Sequence, residues 1–270
     1  MKHAWLVIAH NEWGILQRLI SSLDAPECDF YIHIDRKVRK LPDLRVEKGR
    51  LTMLDRRLDV RWGHVSIVQC ELLLLETALA RGGYDYYHVI SGTTLPLKPF
   101  PQLDAFFDKQ GGRSVLSGLR KDEAVQESLK MRRYSLFLRD FQSASKFRKA
   151  LSQWSWRACI AAQKLLGIEA NRGKEFYKAS QWLSLTEEAA RYLLARKDQI
   201  RKTYRYAFCP DEYFIPSELM AGPLQERIVN EEKYLLVKMN RASPDTYPLE
   251  KYDELTRSGY LFARKFSEKS

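Results

Sequence analysis

Two adjacent acids, Asp211 and Glu212, follow a proline and sit among aromatics in FCPDEYFIP, residues 208–216. The chain carries a formal net charge of +11, so an acidic pair in an apolar frame stands out. The chemistry open to it is metal ligation, general-base catalysis, or capping of the helix that follows. Two further groups could bind an anion. HIDRK (33–37) sets Asp35, Arg36 and Lys37 together: the acid can accept bonds from a base or ribose while the cations meet phosphates. The plainer reading there is a charged turn. Near the C-terminus FARKF (262–266) holds Arg264 and Lys265, which in isolation read as a solvated tail.

Several anchors common in nucleotide enzymes are missing. G-x-x-x-x-G-K-[ST] and a strand-borne G-x-G-x-x-G do not occur, nor do H-E-x-x-H and G-x-S-x-G. The five histidines, at 3, 10, 33, 64 and 88, lack zinc-like spacing. No D-x-D exists, so Asp211-Glu212 is the one carboxylate pair placed to hold a diphosphate-bound metal.

These groups must be positioned by a chain of 270 residues with 45% apolar and 12% aromatic content, enough for one sizeable core. AWLVIA (4–9), DFYIHID (29–35), RLTMLD (50–55) and YDYYHVISG (84–92) read as strands. Helical patterns at 12–23 and 64–83 separate them, the second stopped by a double glycine. Strands alternating with helices predict a mostly parallel, doubly wound sheet whose ligands bind at the C-terminal strand ends. That geometry makes AHNE, HIDRK and SGTTLPLK neighbours in one crevice. Downstream, ASQWLSL (179–185) reads as a strand, 186–204 as one helix with Thr186 as N-cap, and YLLVKM (234–239) as a last strand before a polar tail. No linker or repeat divides the chain. We read one domain: a nucleotide-binding half (1–118), a basic helical insertion (119–178) and an acceptor and catalytic half (179–270). No apolar run approaches a membrane span, no secretory leader is recognised, and the four cysteines are widely spaced; free thiols and a cytoplasmic setting are expected.

VIAHNE, YIHIDRK, RWGHVSIVQCELLLLETAL, YDYYHVISGTTLPLKP, SQWLSLT, PDEYF and SGYLFARKF, in this order, resemble segments of the core-2/I-branching N-acetylglucosaminyltransferase family, which also contains the peptide O-xylosyltransferases. The resemblance spans nearly the whole chain. It implies a GT-A-type nucleotide-sugar-binding fold and inverting, metal-independent transfer from a UDP-sugar to a glycan or protein hydroxyl, GlcNAc first and xylose second, with no cofactor. It implies Glu212 as general base and Lys265, helped by Arg264, on the departing diphosphate. Ile8, Ala9, His10, Asp35, Arg36, Lys37 and Trp62 fall on positions that hold the uridine end. For the second diphosphate cation the nearest arginine is Arg241, with a plain surface arginine as the equal alternative. Where the family carries an acid after the fourth strand, this chain has Thr94, which points to a different donor sugar.

For the acceptor, the resemblance nominates Ser180, Gln181 and Trp182, with Arg133 and Tyr134 in the insertion and Asp211 beside the base. Residues 120–174 hold 13 Lys/Arg against 5 Asp/Glu, with Phe137, Phe141, Trp154 and Trp156 interleaved. Such a segment suits anionic partners, and 131–166 fits peripheral contact with a membrane carrying a lipid-linked glycan; core packing of the aromatics is the simpler view. A basic nucleic-acid-binding protein is the alternative of another class, but no RNP, KH, helix-turn-helix or zinc-finger pattern supports it. The implied setting is bacterial surface-polysaccharide assembly.

Overall fold

A computed structural model describes residues 1–122, 124–240 and 243–268. Its centre is a seven-stranded sheet. β1 (His3–Ala9) is buried along its whole length, the pattern of a strand covered on both faces. α1 (Trp13–Leu23) turns Ile15, Leu16, Leu19, Ile20 and Leu23 inward at helical spacing. β2 (Cys28–Ile34) and β3 (Arg50–Met53) follow, then α2 (Ser66–Arg81), β4 (Tyr86–Ser91), the short β5 (Leu95–Pro96) and α3 (Phe100–Lys109). β6 (Ser114–Leu116) leads to β7 (Arg120–Lys121), α4 (Ala124–Lys130), α5 (Lys146–Leu165) and β8 (Tyr177–Lys178). β9 (Leu183–Thr186), α6 (Glu187–Ala195), α7 (Lys197–Tyr204) and α8 (Phe214–Met220) come next, then β10 (Ile228–Asn230) and β11 (Leu235–Val237). The chain closes with β12 (Met239–Asn240), β13 (Ser243–Pro244), β14 (Tyr247–Pro248), α9 (Tyr252–Thr256), β15 (Phe262–Arg264) and β16 (Phe266–Ser267).

Across the main sheet the order is β10-β6-β9-β4-β1-β2-β3. β1 pairs parallel with both β2 and β4, and β3 extends the parallel set, while β9 runs antiparallel between β4 and β6. A mixed α/β fold with a mostly parallel sheet results, as the strand and helix periodicities predict. Buried polar groups cross its middle. His3 Nδ1 meets His88 Nε2 at 2.9 Å, His88 Nδ1 meets Ser184 Oγ at 2.6 Å, and Ser184 Oγ meets Tyr234 OH at 2.8 Å. These two histidines are thus structural, each satisfied inside the core.

The second half departs from the predicted pattern. Residues 179–182 form a bend, and β9 begins only at Leu183. The helix expected over 186–204 breaks at Arg196 into α6 and α7; Thr186 does cap it, its hydroxyl accepting from Ala189 N at 3.3 Å. β11 is neither in the main sheet nor last: it pairs parallel with β15, and β15 pairs antiparallel with β5. The polar tail is therefore built into the fold. The insertion is closed at its base, where β7 and β8 pair antiparallel through Arg120–Lys178 and Lys121–Tyr177.

Phe262 anchors the tail, 1% exposed, its ring 6.0 Å from Trp5 and 5.3 Å from Tyr234. Phe262→Ala should cost about 3–5 kcal/mol. Urea unfolding should show a lower midpoint at unchanged slope; a midpoint within error of wild type would show that the tail is not part of the cooperative unit.

Candidate functional site

The C-terminal ends of β1, β2 and β4 meet in one crevice. Ile8 O accepts from Gly92 N at 2.9 Å and Ala9 O from Asp35 N at 2.9 Å, so the three strand ends are tied together. Gly92 is required here, because a Cβ would lie 2.6 Å from that of Ala9. Asp35 is buried and takes Lys37 Nζ at 2.7 Å, Lys37 N at 2.8 Å and Val60 N at 3.1 Å. Lys37 also reaches Asp59 at 2.9 Å and Val60 O at 2.6 Å, so both expected donor-binding side chains are engaged with each other. Arg36 is exposed. A residue that the sequence reading passed over holds this turn: Arg57 donates to Ile34 O at 3.0 Å and Asp35 O at 2.7 Å. Trp62 is 46% exposed, stacked on Phe141 at 5.8 Å.

Lys265 comes to this crevice from the far end of the chain. β15 holds the residues before it, Phe266 N donates to Thr93 O at 2.9 Å, and Tyr247 N donates to Lys265 O at 2.8 Å. His10 stands at the rim, at the exposed end of β1. Loss of solvation around its ring lowers its pKa first; Asp35 opposes that, and Lys37 and Lys265 add to it. The field at His10 is thus made by the charged groups that the sequence reading grouped. Thr94 does not face the crevice: it is fully buried, with its hydroxyl 2.8 Å from Ser91 Oγ.

The acidic pair lies in a 3-10 turn, Pro210–Glu212, entered through Cys209 at φ 51°. Two neighbours fix the turn. Cys209 N donates to Gly63 O at 3.0 Å, and Ala179 N donates to Glu212 O at 3.0 Å. Gly63 has φ +69°, and a Cβ there would come 2.7 Å from the Phe208 ring. The two acids have opposite surroundings. Glu212 is 36% exposed, with Lys178 Nζ at 3.0 Å and Lys130 Nζ at 3.2 Å. Burial alone would raise its pKa, but the two ammonium groups outweigh it and hold Glu212 below its ordinary value. Asp211 points inward, its Oδ1 shut off without a partner. Desolvation first, then the Glu212 charge, push it up to about 7.

Behind Asp211 lies a group that only Asp211, Gln181, Trp182 and Arg264 had announced. Glu71, fully buried on α2, accepts from Gln181 Nε2 at 2.8 Å, and its other oxygen is unpartnered. Burial, then the charge of Asp211, raise the Glu71 pKa well above its ordinary value. The Arg264 guanidinium lies 4.9 Å over the Trp182 ring with Nε unpartnered. Burial lowers its pKa to about 10 against the pull of Asp211. Glu71 was legible as an acid set among the inward residues Val68, Leu72 and Leu75 of an apolar helix. Lys130 and Lys178 carried no signal, since each is one cation among many in a basic stretch.

The expected acceptor side chains are placed unevenly. Gln181 and Trp182 face inward, the amide spent on Glu71 and the indole covered by Arg264. Ser180 Oγ accepts from Trp182 N at 3.2 Å. Arg133 donates to Ile168 O at 2.8 Å and Arg132 O at 3.1 Å, which commits it to holding the insertion. Tyr134 is 40% exposed, edge-on to Tyr206. Arg241 lies outside the described residues. Among the described residues no three His, Cys, Asp or Glu side chains gather as a metal site, and the four cysteines are free.

His10, Lys37 and Lys265 gather at the C-terminal strand ends, where open α/β sheets take their ligands, and Glu212 is a carboxylate held below its ordinary pKa by two lysines. The chain belongs to the Core-2/I-Branching enzyme family, whose model matches residues 3–254. It is similar to Xylosyltransferase 2 of Rattus norvegicus, 24% identical over 239 residues that cover 84% of this chain and 25% of that protein. Similarity to Xylosyltransferase 2 of Homo sapiens is 23% over 239 residues, 84% and 25% of the two chains. To Xylosyltransferase oxt of Drosophila melanogaster it is 25% over 216 residues, 76% and 22% of the two. The chain thus spans about a quarter of the length of these relatives.

Asp211 yields a pH test. Its native carboxyl keeps a proton to about 7, whereas an unfolded one releases it near 3.8. Between those values the native state binds more protons, so this group's contribution to stability falls as pH rises. Asp211→Asn should therefore melt higher than wild type at about pH 8, with the gap narrowing toward about pH 4. A gap independent of pH would show that Asp211 is ionised in the native protein.

Proposed function

We propose that this chain is an inverting glycosyltransferase that moves a sugar from a UDP-sugar to a glycan hydroxyl. The observation that carries the reading is Glu212: a part-open carboxylate kept ionised by Lys130 and Lys178, in a fold whose tail brings Lys265 close enough to His10 to lower its pKa. Glu212 takes the proton of the acceptor hydroxyl as its oxygen attacks the anomeric carbon from the side opposite the leaving group. The bond to UDP breaks as the new bond forms, so the configuration inverts. Negative charge grows on the diphosphate, and Lys265 with Arg264 stabilises it in place before the reaction begins. The fold is of the GT-A type on this reading, and the uridine lies along Ile8, Ala9, His10, Asp35, Arg36 and Lys37, with Trp62 at the edge. Preplaced cations support metal independence. Arg241 remains the proposed second cation.

GlcNAc is the first donor we propose. Xylose is the second reading, favoured by the names of the similar proteins and by a buried Thr94 that cannot supply the acid contact to the sugar. We place the acceptor among lipid-linked glycans of cell-surface polysaccharide assembly, at the cytoplasmic membrane face. Nucleic acid is not an expected partner.

Glu212→Gln should lower kcat by about 10²–10⁴ with UDP affinity retained. Full activity would place the base elsewhere. Lys265→Ala should weaken UDP binding measured by calorimetry with EDTA present; unchanged affinity would remove the cation from the mechanism, and loss of wild-type binding in EDTA would require a metal. The pH profile gives an independent check. Lys178 holds the Glu212 pKa down, so Lys178→Met should raise it and move the acid limb of kcat/KM to higher pH. An acid limb that stays put would show that Glu212 does not set it.

A further inference from the structure

α5 is built inside out. Its inward side is polar and half-polar: Ser152 and Gln163 are buried with Ile160, while Trp156 and Cys159 are half-buried. These polar groups attach the helix to the preceding loop. Gln163 accepts from Tyr134 N at 2.8 Å and donates to Tyr134 O at 2.9 Å, and Trp156 Nε1 donates to Ser135 Oγ at 3.2 Å. The apolar residues face out. Phe147 is 75% exposed, Leu151 52%, Trp154 68% and Leu165 88%, and Ala158, Ala161 and Ala162 are exposed between them. At 100° per residue these positions fall in a sector about 100° wide, a stripe about 27 Å long.

The patch is local to the insertion. Of twelve large hydrophobic residues exposed among the described residues, nine lie between Tyr134 and Ile168, including Phe137, Leu166 and Ile168 beside the stripe. Charge frames it. α5 contains five cations and no acid; Lys146, Arg157 and Lys164 fall along one edge and Arg148 along the other. A second copy docked by a two-fold axis on the same face would set these cations against their own kind. A nucleic acid would leave the apolar centre uncovered.

We infer that α5 docks in the plane of an anionic lipid surface, its Phe147–Leu151–Trp154–Leu165 stripe entering the headgroup–acyl boundary while the flanking cations meet phosphate headgroups. The inner side of the same helix reaches the site. Trp156 lies 5.3 Å from Phe208, which precedes the Pro210–Glu212 turn, and Phe141 joins both of them to Trp62. Docking therefore sets Glu212 and the crevice at a fixed height above the lipid, where a glycan on a lipid carrier presents its hydroxyl. That last step rests on the acceptor reading above; lipid docking itself does not.

The test is flotation of the full chain, without donor or acceptor, with vesicles of phosphatidylcholine alone or mixed with phosphatidylglycerol. Wild type should float with the anionic vesicles and lose most binding when ionic strength rises from about 0.1 M to about 1 M. Leu151→Glu/Trp154→Glu should bind at least about tenfold more weakly, with circular dichroism and melting temperature unchanged because both positions are exposed. Trp154→Phe should keep binding. Arg157→Glu/Lys164→Glu should lose only the preference for anionic lipid. The inference is overturned if wild type stays with soluble protein at both compositions, or if the double acidic variant floats as well as wild type. It is equally overturned if the variant instead dissociates a concentration-dependent dimer that binds no vesicles. Vesicle binding by a chain that fails to bind UDP would sink the donor reading and leave this one standing.

Discussion

The antiparallel pairing of Phe262–Ala263 with Leu95–Pro96 is the constraint on which the site depends. Leu95 and Pro96 follow the β4 strand end by only a few residues, so this short ladder carries the C-terminal segment to the mouth of the main sheet. Arg264 and Lys265 come next in the chain and meet different neighbours. Arg264 lies over Trp182 and feels Asp211; Lys265 contributes to the field at His10. Phe262 and Ala263, both buried, supply the apolar burial that holds the ladder, since two rungs alone are too few to persist in water. The position of Lys265, near the chain's end, is thus fixed by burying the residues just before it.

Electrostatics then sorts two neighbouring carboxylates. Glu212 and Asp211 are the same chemistry one residue apart, yet the 3-10 turn aims one at Lys130 and Lys178 and the other into the protein. Two ammonium groups at about 3 Å keep Glu212 ionised, the state that the base role proposed for it requires. They also lower its basicity, so the site favours readiness over proton affinity. The inward acid serves otherwise. With Glu71 and Arg264 it forms a buried group with an open valence on each member, an arrangement that costs stability and so marks a place where the fold is shaped by something beyond packing.

The first hundred residues were readable because their strands and helices are local patterns. A β1 buried on both faces is a continuous apolar run, and α1 and α2 bury periodic stripes. The second half was less so, for physical reasons. β5, β14 and β16 are two residues long, and no periodicity exists in two residues; long-range pairing with the tail makes them strands. The bend at 179–182 looked like a strand because Trp182 and Leu183 are apolar, whereas Gln181 is held by Glu71, a residue 110 positions away. Among the candidate site residues, Glu212 and Lys265 could be nominated through resemblance alone, and Asp35 and Lys37 through resemblance and their place at a strand end. Lys130 and Lys178 could not, since one cation among many in a basic stretch carries no label until the fold sets it beside an acid.

α5 shows where composition misleads and geometry decides. Its aromatics read equally well as core or as surface, and the structure divides them: Trp156 and Phe141 pack against Phe208, while Phe147 and Trp154 face away. Core packing accounts for the first set alone. Helices that bury serine and glutamine while exposing phenylalanine, leucine and tryptophan oppose the hydrophobic effect in water. The lipid docking inferred for α5 would remove that cost, because an anionic bilayer surface is apolar for a few ångströms and negatively charged beyond. The polar bonds of Gln163 and Trp156 keep the helix from rolling over to hide the stripe, so its outward face is fixed by the Tyr134–Ser135 loop, which is itself tied to Tyr206 O through Ser135 N at 2.7 Å.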